Sequence, residues 1–376
     1  MADYAIDIRS PDGRTRLAYL DSAGIMELEY VLTENSPHAA KLVIPPGFLT
    51  ADALQEDTRL YIYRRPVGSN SYTLEGQTCF LVQTINRTRD EIMLSAVGAM
   101  DILGRRIVNY TSGSAQAKKS AFADEMMRLI LTENFGASAT GTGREIPAEL
   151  FDIPNQRLVS GNVVSAFPSI SKAFAWDNVL KVFQEIADAC ATAGTYMSFD
   201  VVAIGQSMLG FQTWNDTRGG DRRRGKTNSV ILSEEAGNLT ARIALAYGDS
   251  KTYIRAGGQG EGEARALAEA MNTGNILASP WGRREAFHNA SSSDDPTAVQ
   301  DEAYAQLWAS RPRLTFEGEI METPSFRYGV EFSLGTLLTA DTRGFSFECR
   351  MSNIHVSLGR DGSEAVDIKT SGETAI

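Results

Sequence analysis

Little in this sequence lends itself to catalysis by a thiol, a metal or an imidazole. Only three cysteines and three histidines occur in 376 residues. Cys79, Cys190 and Cys349 stand far apart with no C-x-x-C between them, each inside an apolar run (TCFLV, ADACATA, FECRM). That is the pattern of buried, reduced thiols, as in proteins that fold in a reducing cytosol. His38, His288 and His355 make no H-x-x-x-H or H-E-x-x-H and join no cysteine cluster, whereas zinc needs three or four ligands at workable spacing. No G-x-S-x-G elbow is present. His288 with Ser291 to Ser293 and Asp294 has the residue types of a triad, but triads are assembled from distant parts of a chain, so this run is not read as one. Apolar runs of 18 residues are missing, which excludes a membrane-spanning helix. The opening MADYAIDIRSPDGRTRLAYL alternates charge with apolar residues and lacks the h-region of a signal peptide. Positive charge is also short: 36 Lys and Arg face 47 Asp and Glu, a net charge of −11. Sequence-independent nucleic-acid binding rests on cations neutralising phosphates, so that class is disfavoured.

What is present is the composition of a soluble globular protein, 43% hydrophobic and 22% charged, with room for about two to four domains. The first hundred residues read as antiparallel strands with period-two alternation (MELEYVL, AKLVI, RLYIYRR, TCFLVQTINR, EIMLSAV), with turns at Ser10-Pro11-Asp12-Gly13 and at Arg89-Asp90. Two helices are expected next. One places Phe122, Met126, Leu129 and Ile130 on a single face and stops at Gly136; the other aligns Trp176, Leu180, Phe183, Ala187 and Cys190 and ends at Gly194. Between them, 137–171 reads as a long irregular connection. Strands then resume (TYMSFDVVA, SMLGFQTW), and ALAYGDSKTYIRA reads as a hairpin turning at Gly248-Asp249. A later helix is well signalled by Asp295 at the N-cap, Pro296 at N1 and Pro312 past its end, with Trp308, like Trp176, assigned to helix core. The order β, α, β, one helix, β does not suggest a doubly wound parallel sheet.

The stretch YIRAGGQGEGEARA, residues 253–266, has the look of a phosphate loop without its pattern. G-x-G-x-x-G fails because Glu263 or Arg265 occupies the third glycine position, and Glu261 and Glu263 would repel a phosphate. Glycines serving positive φ or close packing at a turn or bulge are the preferred reading. The basic run RGGDRRRGK, Arg218 to Lys226, reads as a solvated loop, with a contact to an acidic partner chain or to DNA as the alternative.

Several pieces in order resemble a known family. They are IDIRSPDGRTRLAYLDS, LEYVLTENSPHAAKLVIPP, FLVQTINRTRDEIMLSAVGAMDILGRRI, the glycine stretch, SPWGRREAFHNAS, AQLWASRPRLTFEGEI and FRYGVEFSLGTLLTAD. Together, over about Tyr4 to Gly362, they look like siphophage tail-tip hub proteins, the tail-associated or baseplate hub family, similar to the hubs of contractile baseplates. The resemblance implies an α+β, β-rich fold of two β-barrel-like tube domains with α-containing inserts. The expected boundaries are an N-terminal tube domain at 1–100, an α-containing insert at 101–205, a second β domain with a helix at 206–320 and a C-terminal β segment at 321–376. It also implies that Ala264 to Asn272 runs as a strand despite its helix propensity, that Gly258, Gly260 and Gly262 are turn or bulge positions, and that Arg265 is their structural partner.

The function so implied is a homotrimer closing the distal end of the tail tube and adapting sixfold rings to a threefold tip. Its partners would be the distal tail ring, the tape-measure protein and a fibre or spike, with DNA passing only transiently through the lumen. No catalytic residue, metal or cofactor is expected, and the protein would be a virion component assembled in the host cytoplasm. Two other classes stay open. A cell-wall hydrolase would need a nucleophile or metal set and extra length after Gly362, where fourteen residues follow. A glycan-binding adhesion module would show exposed loop aromatics, for which Trp214 and Trp281 are the candidates.

Overall fold

The computed structural model describes residues 2–47, 54–109, 117–155, 158–159, 162–246, 248–262, 265–290, 295–311, 313–323 and 326–375. The N-terminal strands are β1 (Asp3–Arg9), β2 (Arg16–Asp21), β3 (Glu27–Thr33), β4 (Ala39–Ile44), β5 (Arg59–Arg65), β6 (Thr73–Leu74), β7 (Phe80–Arg87) and β8 (Ile92–Gly98). Both expected turns form. Gly13 takes φ +72°, and a Cβ there would lie 2.8 Å from the Ser207 Cα, so both conformation and close approach require glycine. The β7–β8 hairpin closes through Thr88 N–H to the Glu91 carbonyl at 2.9 Å.

The next segment holds α1 (Asp101–Gly104), β9 (Ala117–Phe122), α2 (Ala123–Asn134), β10 (Phe151–Asp152), β11 (Leu158–Val159), β12 (Asn162–Val163), β13 (Ser169–Phe174), α3 (Val179–Thr192), β14 (Met197–Ala203) and β15 (Leu209–Asn215). Both helices exist, with faces shifted from the sequence reading. Phe122 ends β9, held there by the β9–β13 ladder, and α2 buries Met126, Met127, Ile130 and Leu131 while Leu129 is half-buried. In α3, Asn178 is the N-cap, accepting from Lys181 N–H at 3.2 Å, and Phe183, Ala187 and Cys190 are buried. Trp176 lies before that cap with φ +61° and is 50% exposed, so it is not helix core. The connection 137–171 is not wholly irregular: it contains β10, β11 and β12, and β13 begins within it.

The remainder comprises β16 (Ile231–Ser233), β17 (Leu239–Ala246), β18 (Tyr253–Gly257), β19 (Leu267–Met271), α4 (Thr273–Ala278), β20 (Glu285–Asn289), α5 (Pro296–Ala309), β21 (Arg313–Ile320), β22 (Leu337–Thr342), β23 (Phe345–Leu358) and β24 (Glu364–Ala375). Asp295 caps α5 by accepting from Thr297 N–H, with Pro296 at N1. Pro312 lies outside the described residues. Trp308 falls off the Val299–Ala303 stripe that α5 buries; its ring lies under the Arg311 guanidinium, 3.8 Å away, and it is 47% exposed rather than core. Among the described residues β17 and β18 do not pair with each other, so the hairpin expected at Gly248-Asp249 does not form there. β17 pairs with β21, while β18 pairs with β19 and β20, because the chain leaves one sheet and enters another between them.

The fold is β-rich α+β, as expected. Fourteen strands share one sheet whose main path runs β17-β21-β24-β23-β3-β4-β8-β7-β5-β1-β2. Among the described residues the path is open, with free edges at β17 and β2, and closes into no barrel. Its N- and C-terminal halves meet at one seam, where β23 pairs antiparallel with β3 from Asn353↔Thr33 to Leu358↔Leu28. Tyr4, Ile6, Tyr30, Leu42, Phe80, Phe316, Phe347 and Ile354 belong to the core on one side of that sheet. A second core joins α2, α3, β14 and β15 through Met126, Ile130, Phe183, Phe199 and Phe211. A third, smaller one packs α5 on β18 and β19 through Ile254, Ala268, Ala270, Val299 and Ala303. Each large apolar side chain so buried contributes roughly 1.5 to 3 kcal/mol.

Candidate assembly site

The glycine stretch forms the mouth of the small sheet β19-β18-β20. After β18 the chain turns through Gly260 at φ +106° and Gly262 at φ +59°, while Gly258 N–H donates to the Ala266 carbonyl at 2.8 Å and starts the return into β19. Residues 267–271 are therefore strand. Their helix propensity is overridden by a ladder from Tyr253↔Met271 to Gly257↔Leu267 that buries Ala268 and Ala270 against α5. Arg265 crosses the turn, donating from Nε to the Gly258 carbonyl and from Nη2 to the Gly257 carbonyl, both at 2.9 Å, and also to Asn289 Oδ1. Its guanidinium lies 5.2 Å from the Phe287 ring centroid. The loop thus points carbonyl oxygens at its own arginine, the opposite polarity to a phosphate cradle. Sequence reasoning passed over Gly257, where a Cβ would meet Arg265 Nε at 2.6 Å and Phe287 at 2.8 Å.

Sequence reasoning also missed a buried polar junction. β14 has two faces. Met197, Phe199 and Val201 enter the second core, while Ser198 and Asp200, with Tyr196 just before the strand, point the other way into a region built from three other parts of the chain. Asp200 is 1% exposed. Its Oδ2 lies 2.6 Å from Arg218 Nη1 and 3.3 Å from His38 Nε2, and its Oδ1 accepts from Val201 N–H at 2.7 Å. Thr33 N–H donates to His38 Nδ1 at 3.1 Å, which turns Nε2 toward Asp200, where it approaches without closing a hydrogen bond. Burial pushes the Asp200 carboxyl up, but Arg218 and His38 outweigh it and hold the group below its ordinary value. Glu34, in the turn after β3, accepts from the Tyr196 hydroxyl at 3.0 Å, and Arg350 Nε stands 3.8 Å away. Asn35 closes the turn at φ +53°, its side chain bonding Met197 O and Phe199 N–H at 2.9 Å each. The signal was there to read: TYMSFDVVA alternates Tyr, Ser, Asp with Met, Phe, Val, too many polar groups for a strand whose other face is core.

The histidines are dispersed. His288 Nε2 is 3.0 Å from Glu302 on α5, and the run at 291–294 that has the residue types of a triad lies outside the described residues. His355 sits on the seam between Glu29 at 2.9 Å and Asp367 at 3.5 Å. Among the described residues no group of His, Cys, Asp and Glu could hold a metal ion, and no helix is long and apolar enough to cross a membrane. A cavity of about 190 Å³ lined by Leu32, Leu74, Glu75, Arg218, Tyr328 and Leu334 is smaller than the roughly 300 to 1,000 Å³ of pockets for drug-sized ligands. Most of the basic run is occupied within the chain, Arg218 by Asp200 and Lys226 by Asp221. Arg223 bridges Asp221 at 2.8 Å and Glu348 at 2.7 Å, Arg224 pairs with Asp341, and the Arg223 hydrogen bonds hold the Asp221 carboxyl down to about 2.

The large sheet presents its uncovered side at the seam. Lys41, Glu29 and Ser357 stand in one row across β4, β3 and β23, and Ala39, Val31, His355 and Asp367 in the next, extended to β24. The most exposed large apolar side chains lie elsewhere: Leu277 at 81% and Trp281 at 90%, at the end of α4 and just beyond it. Trp214 is half-buried in β15 beneath Arg218, 4.6 Å from its centroid.

Residues 6–370 match a family described as siphovirus ReqiPepy6 Gp37-like protein. A sequence search of curated proteins finds no significant match. Three solved structures share the fold over nearly the whole chain. The 43 kDa tail protein of prophage MuSo2 from Shewanella oneidensis has a TM-score of 0.56 at 11% identity, covering 98% of each chain. A tail protein from Neisseria meningitidis MC58 has 0.54 at 9%, covering 99% of this chain and 96% of that one. Prophage tail protein gp18 from Listeria monocytogenes EGD-e has 0.52 at 10%, covering 98% and 94%.

Proposed function

Because the chain belongs to the siphovirus ReqiPepy6 Gp37-like protein family, we propose that it is the structural hub of a phage tail tip, a homotrimer that closes the distal end of the tail tube and adapts sixfold rings to a threefold tip. The observation that carries this reading is the seam. One sheet joins strands from both ends of the chain, buries apolar residues on one side and offers on the other a mixed surface on which, in the two rows at the seam, the carboxylates of Glu29 and Asp367 outnumber the one lysine, Lys41. Such a surface suits a water-filled conduit, where carboxylates repel a passing DNA backbone. The free edges of β2 and β17 are places for neighbouring copies or rings to add strands, since an unpaired edge left in solution is an aggregation hazard. On this reading 1–100 and 206–320, completed by 321–376, supply the tube modules and 101–205 is the insert. The distal tail ring, the tape-measure protein and a fibre or spike are the partners. Gly258, Gly260, Gly262 and Arg265 shape a turn and bind no ligand. The protein works in the virion without catalysis or cofactor.

The test is mass in solution by light scattering, together with location of the chain in cryo-EM images of intact particles. A trimer at the tail tip is the expected result; a persistent monomer missing from particles would refute it. One observation favours a second reading, a glycan-binding module: the indole of Trp281 is almost wholly exposed. Glycan-array binding abolished by Trp281→Ala would select it.

A further inference from the structure

We propose that the buried junction of the β3–β4 turn with β14, Arg218 and Arg350 is a protonation-dependent joint between the helical insert and the large sheet, tight when Glu34 carries a proton and loosened when it is ionised.

The two carboxylates of the junction are unequally served. Asp200 accepts hydrogen bonds from Arg218 and a backbone N–H, one on each oxygen, with His38 Nε2 3.3 Å away. Glu34 is equally inaccessible, with a side chain 2% exposed, yet only its Oε2 is engaged, by Tyr196 and at longer range by Arg350. Its Oε1 is buried with no hydrogen bond closed on it, the buried Ser198 hydroxyl that helps hold the carboxyl down closes none either, and a Cβ on Gly335 would lie 3.0 Å from that oxygen. Arg350 is divided as well: it stands 3.7 Å from Asp216, and its guanidinium lies on the Tyr196 ring, 3.5 Å from the centroid. The groups facing Glu34 are therefore Tyr196 just before β14, Ser198 within it, Arg218 after β15 and Arg350 from β23, with Asp216 beyond Arg350 and, beyond Asp200, His38 from its own turn. A proton on Glu34 removes an underpaired buried charge and leaves Arg350 with Asp216 and the Tyr196 face.

Burial raises the Glu34 carboxyl above its ordinary value, and Arg350, Tyr196, Ser198 and Arg218 offset only part of that. A carboxyl raised in the folded state stabilises the fold below its unfolded pKa, and that contribution is lost as pH rises through the folded value. Asp200, held low, acts in the opposite sense and loses its contribution only on strong acidification. The joint is tightest between those limits, in mild acid. What opens is the attachment of the insert, because Asn35 in the same turn holds Met197 and Phe199, and Gln184 of α3 donates to the Asn35 carbonyl at 3.0 Å.

Amide hydrogen exchange on the full chain from pH 5 to pH 8, corrected for intrinsic rates, tests this in peptides covering 33–38 and 196–201. Protection in the wild type is expected to fall with rising pH, by about tenfold for each unit by which the Glu34 carboxyl is raised, and to be flat in Glu34→Gln. Tyr196→Phe, which removes the donor to the ionised form, should move the midpoint of the wild-type profile to higher pH. Peptides of β18 and β19 serve as the reference and should show no such slope. A flat wild-type profile, an equal slope in Glu34→Gln, or an unmoved midpoint in Tyr196→Phe overturns the proposal.

Discussion

Replacing Arg218 by methionine should destabilise the protein by about 3 to 5 kcal/mol, the range for breaking a buried ion pair from one side. The geometry supports the upper part of that range. Arg218 and Asp200 are 4% and 1% exposed at the side chain, so neither charge is screened by solvent. The guanidinium donates at 2.6 Å both to Asp200 and to the Gly76 carbonyl, and it lies over Trp214. Methionine keeps most of the apolar stem and loses all three contacts, leaving Asp200 with His38 and one backbone N–H. The companion variant is the double change Asp200→Leu with Arg218→Met. It removes both charges, so its cost should fall short of the summed single variants by about 0.5 to 3 kcal/mol, as for directly coupled residues. Urea unfolding at pH 7, followed by circular dichroism, measures this through the midpoint, provided the slope is the same in all three variants. A single-variant cost under about 1 kcal/mol, or strict additivity, would refute the view that this pair ties the insert to the sheet.

Other expectations concern the glycines and the thiols. Gly260→Val should lower folding yield or ring assembly, since a β-branched residue at φ +106° is strongly disfavoured; an unchanged melting curve and oligomer would show that the glycine is incidental. Gly257→Leu should displace Arg265 from its carbonyls and cost about 1 to 3 kcal/mol, as overpacked sites do, read as a drop in melting temperature. Burial pushes the Cys190 thiol up to about 12 and those of Cys79 and Cys349 up to about 11. All three should therefore resist a disulfide reagent at pH 8 in the folded protein and react fully in urea, and rapid labelling of the native chain would contradict that.

Local chemistry was legible in the sequence, and pairing at a distance was not. The hairpin at Ser10 to Gly13 and the capped start of α5 at Asp295-Pro296 carry their own instructions, as does the period-two alternation of β3, β4 and β8. Leu267 to Met271 carried the wrong instruction taken alone, since strand pairing with β18 decides its state. The supposed hairpin at Gly248-Asp249 failed for the converse reason: turn residues specify that the chain turns, not that the flanking strands are partners. Trp176 and Trp308 were misplaced because helical spacing was extended one step past a cap in one case and off the buried stripe in the other. The junction at Asp200 stayed hidden because Glu34, His38, Asp200, Arg218 and Arg350 come together only through tertiary folding.

The register of β17 with β21 carries a consequence for how such a chain changes over time. Ala246 and Arg313 are partners at the end of that ladder, so the chain departs from the large sheet and rejoins it at one point. Everything between them, including the glycine turn, α4 and α5, is a cassette whose two ends already meet. Its contents could be exchanged, or replaced by a tight turn, without altering a hydrogen bond of the fourteen-stranded sheet.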